Sequence, residues 1–175
     1  MTASADANHA LDRQVFDEWP VELRALFDGS ALASKVGFTA SLITVDAGGA
    51  HLRTSLLGIG ELYAPDSRTL CLALWPQSRA ARAIVQSGRA ALTFVHGGAF
   101  YQVQLELAPL PADDAAGLAC FTGSIESGDA QRVPYARLTG GITFELDGEG
   151  EAVLERWQQQ IEYLKRAADD AAAGR

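Results

Sequence analysis

Positions 38–42 alternate apolar Phe38, Ala40 and Leu42 with polar Thr39 and Ser41, and a second run over 50–57 follows the Gly48-Gly49 break. The two runs predict a pair of antiparallel strands. Upstream, Pro20 stands at a first helical position, and Val21, Leu23, Leu26 and Phe27 fall on one side of a short helix over 20–27. The run 69–75 is apolar at nearly every position, which predicts a central strand ending at Trp75 with both faces covered. A helix follows over 78–88, with Ser78 as N-cap, Ala81, Ile84 and Val85 as its buried stripe, and Gly88 as a left-handed C-terminal cap. Residues 89–96 and 99–107 then alternate on either side of Gly97-Gly98, the pattern of a tight hairpin.

The remainder is less regular. Residues 112–121 are Ala-rich with Asp113 and Asp114 at the start, which predicts a helix whose first turn favours negative charge. The stretch 122–139 reads as loop with a short helix. Ile142, Phe144 and Leu146 alternate with polar residues as a last strand, and Leu154, Trp157, Ile161 and Leu164 give a helix over 151–168 one apolar face. The sum is a mainly β chain with peripheral helices, an α+β arrangement. About six strands, mostly in hairpins, predict an antiparallel six-stranded barrel, because closure removes exposed sheet edges. With no repeat and no linker, a single domain is expected over 13–168, between a disordered lead-in (1–12) and a flexible tail (169–175).

Composition narrows the function. The 175 residues are 48% hydrophobic and 21% charged, enough apolar material for one core. The formal net charge of −8 argues against nucleic acid, which needs a basic stripe, so any anion site must be local. No apolar run approaches the roughly 20 residues of a membrane-spanning helix, and the first ten residues carry neither the basic nor the apolar stretch of a secretory signal. Cys71 and Cys120 lie on apolar segments and read as reduced, buried thiols, so a cytoplasmic protein is expected. His9, His51 and His96 have no spaced partner, and no metal site is expected.

The chemistry concentrates on two elements. On the second strand His51, Arg53 and Ser55 share one face, while Leu52, Thr54 and Leu56 take the other. At the start of the 78–88 helix, Arg79 and Arg82 are neighbours beside the positive end of the helix dipole, where cations are disfavoured by about 0.3–1 kcal/mol each. An anion held by these guanidiniums, the Ser78 hydroxyl and first-turn N–H groups would turn that cost into a gain. Alternatively, the arginines simply face solvent or pair with carboxylates.

The order of these pieces resembles the FMN-binding split barrels of the pyridoxamine 5′-phosphate oxidase-like family. Arg53-Thr54-Ser55-Leu56-Leu57 is similar to the family's Arg-x-x-Leu-Leu strand, Ser78-Arg79 to its Ser-Arg-Lys helix start, and Gln102-Val103 to its Gln-Val element. Ala80 and Gly58 stand where the family has lysines, and Ala73-Leu74 replaces a Tyr-Thr pair that contacts the cofactor. The resemblance implies the broad family and not the vitamin B6 oxidase itself.

The resemblance also implies FMN as cofactor, its phosphate and ribityl chain held by Arg53, Ser78 and Arg79 and the flavin reached by Gln102, while His51, Thr54, Ser55 and Leu56 on the strand and Arg82 on the helix are further candidates for holding it. It implies a homodimer with the cofactor at the subunit interface, and an oxidoreductase acting on a small molecule. Trp75 is a further candidate for flanking a planar ring, although a large aromatic ending a buried strand reads first as core. No catalytic side chain is assigned, since hydride transfer is the flavin's own chemistry. The alternative is a split-barrel binding or regulatory protein with weak or lost flavin binding, for haem or another flat ligand, and the absent lysines favour it.

Overall fold

The computed structural model describes residues 10–46, 48–111 and 117–174. In chain order the elements are β1 (Asp12–Phe16), α1 (Val21–Leu26), β2 (Thr39–Val45), β3 (Leu52–Gly58), β4 (Leu62–Tyr63), β5 (Thr69–Leu74), α2 (Arg79–Ser87), β6 (Arg89–His96), β7 (Ala99–Pro109), β8 (Ala119–Arg132) and α3 (Gly150–Ala173). The strands form one antiparallel, eight-stranded sheet in the order β3-β2-β6-β7-β8-β5-β4, with β1 pairing the C-terminal half of β8 beyond β5. The result is a half-barrel of the split-barrel type.

Alternation decides which face is core. Ala40, Leu42 and Thr44 on β2 are buried and stand opposite Leu57, Ser55 and Arg53 of β3. Leu42 pairs with Leu92, and Leu92 with Val103, so the same face continues across β6 and β7. On it Phe94 stacks on Tyr101 at 5.1 Å, and Phe27, just after α1, meets Phe94 edge-on at 5.5 Å. Such ring pairs contribute about 0.5–1.5 kcal/mol beyond their buried area. α2 packs against β2, β3 and β7, and α3 crosses β4, β5 and the 3-10 turn Ile59–Glu61 that links β3 to β4. At Gly60 any Cβ would lie 2.2 Å from the Trp157 ring, so glycine is what allows helix and turn to touch.

Several expectations are corrected. The sheet has eight strands, not six, and its terminal strands β3 and β4 do not pair with each other. Asp12, placed in the lead-in, opens β1 beside β8, whereas residues 1–9 lie outside the described residues. The helix expected at 112–121 is absent where it is described: 112–116, with Asp113 and Asp114, lie outside, and Ala119 to Phe121 begin β8. That strand also takes most of the loop expected at 122–139. The residues expected as a last strand at 142–146 join no strand, and Phe144 instead meets the Trp157 ring at 6.0 Å. The tail expected at 169–175 is helical through Ala173. Val21 and Val85, assigned to buried stripes, are exposed, and α2 buries Ala80, Ala81, Ala83 and Ile84. Among the described residues no helix is long and apolar enough to cross a membrane.

Candidate functional site

The β2–β3 hairpin and the start of α2 meet in a pocket of about 230 Å³ lined by Asp46, Arg53, Arg79, Arg82, Ala83 and Gln86. Arg53 arrives from the strand, and Arg79 and Arg82 from the first turn of the helix. Ser78 caps that turn, its Oγ accepting from the Ala81 N–H at 3.1 Å. The Arg82 N–H donates to the Ser78 carbonyl at 3.2 Å. The Arg79 and Ala80 N–H groups precede the helix's own ladder and remain available to an anion. Among the described residues Arg79 and Arg82 make no ion pair. Three guanidiniums and one carboxylate leave the lining with a formal charge of +2 in a chain whose net charge is −8.

Asp46 is the exception in this basic lining. Its Oδ2 lies 3.8 Å from Arg53 Nη2 and 3.5 Å from His51 Nδ1. Its Oδ1 accepts from the Ala50 and His51 N–H groups at 3.1 and 3.4 Å. Desolvation pushes the carboxyl up, but those N–H groups and the His51 and Arg53 charges outweigh it and hold it below the usual carboxylate range. His51 is itself largely exposed and touches the pocket only through Asp46.

A second cavity, about 380 Å³, opens where β3 ends. It is lined by Leu56, Leu57, Gly58, Glu61 and Trp75 on the sheet side, by Ile142, Thr143 and Phe144 of the segment before α3, and by Arg156, Trp157 and Gln160 of α3. Trp75 is 62% exposed, so the core reading of this residue is wrong: β5 ends at Leu74 and the indole stands in the cavity wall. The turn from Trp75 to Ser78, closed by the Ser78 N–H donating to the Trp75 carbonyl at 2.9 Å, joins this cavity to the arginine pocket. Along β3 Arg53 and Leu56 stand about 10 Å apart at 3.3 Å per residue, and their side chains leave opposite faces of the sheet. Glu61 Oε2 accepts from the Gly58 N–H at 2.7 Å, and burial raises its carboxyl above the ordinary value despite that bond and the Arg156 charge.

The expected residues therefore divide. Arg53, Arg79 and Arg82 share one pocket, Ser78 is the N-cap immediately before Arg79, and Leu56 and Trp75 share the second cavity. Ser55 faces Leu42 on the core side of the sheet. Thr54 and Leu56 lie on the opposite side, in the rows that continue through Ile43 and Ser41. Gln102 stands in the Leu56 row, reached through Ser41 and Thr93. Three strand spacings, roughly 14 Å, separate it from Leu56, and the sheet lies between it and Arg53. Within one chain the structure does not bring Gln102 to the arginine pocket.

The sequence reading missed Asp46, Gln86, Glu61, Arg156 and Gln160. For Asp46 a signal existed: a hairpin turning at Gly48-Gly49 places residue 46 across from His51. The residues of α3 carried none, because only the packing of Trp157 on Gly60 sets that helix face against the end of β3. Among the described residues no group of three His, Cys, Asp or Glu side chains is placed to hold a metal, and His9 lies outside them.

No family model matches the chain. It is 34% identical over 143 residues to the uncharacterized protein YclD of Bacillus subtilis strain 168, covering 81% of this chain and 92% of that protein. Among solved structures it is similar to a pyridoxamine 5′-phosphate oxidase candidate from Lactobacillus delbrueckii, with 18% identity, 65% of this chain and 94% of that one covered, and a TM-score of 0.50. An FMN-binding protein from Syntrophomonas wolfei aligns with 14% identity over 60% of this chain and 85% of that chain, with a TM-score of 0.43.

Proposed function

We propose that this chain, which belongs to one family with Bacillus subtilis YclD and has the pyridoxamine 5′-phosphate oxidase-like split-barrel fold, binds FMN and acts as an FMN-dependent oxidoreductase on a small organic molecule. The observation that carries this reading is the convergence of Arg53 with Arg79 and Arg82 at the Ser78-capped start of α2. A phosphate monoester carries nearly two negative charges at neutral pH, which the +2 lining complements. The Ser78 O–H and the free N–H groups of Arg79 and Ala80 supply donors to the remaining phosphate oxygens. Trp75, one turn before Ser78, offers an apolar wall for a planar ring beside that pocket. When bound, the flavin supplies hydride or electron transfer, and the protein contributes binding, orientation and exclusion of water.

In this reading two copies pair around the cofactor. Leu52 at 71%, Leu56 at 55% and Trp75 at 62% exposure leave apolar surface uncovered beside the site, the kind of patch that a partner buries. Buried, unpaired Cys71 and Cys120 fit a reducing cytoplasm. A second reading, a binding protein with weak flavin affinity, is favoured by Gly58 and Ala80 at the family's lysine positions and by the Asp46 carboxylate in the pocket.

The test is direct. Purified protein is expected to show a flavin absorption spectrum and to release FMN on denaturation, or to take up added FMN at micromolar concentration. Colourless protein that takes up none overturns the assignment.

A further inference from the structure

The arginine pocket contains a carboxylate that a simple phosphate cradle has no use for. Asp46 cannot turn away from it easily: Oδ1 accepts from the Ala50 and His51 N–H groups. The Asp46 N–H also donates to the His51 carbonyl at 3.0 Å, and its carbonyl accepts from the Gly49 N–H at 2.8 Å. The hairpin turn thus fixes the carboxylate at the pocket wall, with Oδ2 directed at Arg53 and His51. Any anion that engages Arg53 meets a negative charge already paired with it. Hydrogen bonds and nearby charges hold Asp46 in its ionised form, so the opposition persists at neutral pH.

We propose that Asp46 is the specificity-determining residue of the anion pocket, competing with the incoming phosphate for Arg53 so that the flavin is an exchangeable ligand and not a permanently retained one. The flavin part of this statement rests on the function proposed above, whereas the competition for Arg53 does not. The physical logic is charge-selective. Asp46 opposes a phosphate dianion through Coulomb repulsion and through the share of Arg53 it already holds, but it places no comparable cost on a ligand without phosphate. The groups facing it are His51 and Arg53 from the hairpin and Arg79 and Arg82 from α2. Together the three arginines keep the pocket attractive to anions, and Asp46 sets how attractive.

The clean variant is Asp46→Asn, because the asparagine oxygen still accepts the Ala50 and His51 N–H bonds and the turn is preserved. FMN and riboflavin are titrated by flavin fluorescence, and FMN dissociation is followed by stopped flow. Asp46→Asn is expected to tighten FMN about tenfold, mostly through slower release, and to leave riboflavin affinity unchanged. Inorganic phosphate, followed by thermal shift, is expected to stabilise the variant at several-fold lower concentration than wild type. If neither protein binds FMN but phosphate still distinguishes them, the flavin assignment falls and the competition stands. Asp46→Asn binding FMN and phosphate no more tightly than wild type, in a protein that melts at the wild-type temperature, overturns the proposal. A variant that tightens riboflavin as much as FMN overturns it equally.

Discussion

Arg53 lies directly across the β2–β3 ladder from Thr44, whose side chain is 2% exposed. The arginine therefore leaves the strand on the core-facing side, yet its own side chain is 46% exposed. At this end of the strand Arg79 and Arg82 arrive from α2, and the three arginines line one pocket. A shift of the β2–β3 pairing by one residue would carry Arg53 to the opposite face and abolish the pocket without changing a single side chain.

Arg53→Ala and Arg79→Ala are each expected to weaken FMN binding by about 1.5–3 kcal/mol, the scale of a hydrogen bond to a charged group. Riboflavin affinity should stay constant, which separates loss of the phosphate contact from general damage. Isothermal titration of both ligands checks this, and unchanged FMN affinity in both variants places the phosphate elsewhere.

Ser78→Ala removes the acceptor for the Ala81 N–H and should lower stability by about 1 kcal/mol, as for other N-cap losses. If the hydroxyl also donates to the phosphate, as the proposed function requires, FMN binding should weaken as well, whereas Ser78→Asp should restore stability without restoring affinity. Urea unfolding together with flavin titration distinguishes the two effects.

Much of the pocket was legible in the primary structure because its parts are local. Ser78 and Gly88 are recognisable caps, and both behave as such: the Ser78 side chain accepts from Ala81, and Gly88 adopts φ 66°. Strand β8 was illegible for a physical reason. At Gly123 a Cβ would sit 2.7 Å from the Leu107 side chain, and at Gly128 one would sit 2.3 Å from the Phe16 ring. At these two positions neighbouring strands supply the apolar bulk that an alternating pattern would need, so the pattern in β8 itself is broken. The opposite error arose at 142–146, where true alternation reflects Phe144 docking on Trp157 and not a strand pairing.

Gly60→Ala should destabilise the fold by about 1–3 kcal/mol, the usual cost of overpacking, because its methyl would enter the Trp157 ring. The damage should fall on α3 and the cavity that it closes, leaving the arginine pocket able to bind phosphate. Hydrogen exchange resolved along the chain, read beside phosphate-induced thermal shifts, tests that division.

Burial raises the Cys71 and Cys120 thiols from 9.0 to about 11. At pH 8 only about one thiol in a thousand is ionised in the native protein, so both should resist a thiol-specific reagent until the chain unfolds. The unfolded chain ionises first as pH rises, so the stability linked to these thiols is complete below pH 9 and drains away between 9 and about 11. Unfolding midpoints across that range should fall, and should fall less in Cys120→Ala.

β8 is the neighbour through which the two parts of the sheet join: β3, β2, β6 and β7 lie on one side of it, and β5 and β4 on the other. During synthesis residues 39–109 emerge before it, so the nascent chain carries two incomplete ribbons whose adjoining edges have no shared partner. Until Ala119 to Arg132 leave the ribosome those edges stay open to foreign strands. The interval between translating β7 and β8 is therefore the moment of greatest exposure to aggregation, and the place where a holding chaperone would do most good.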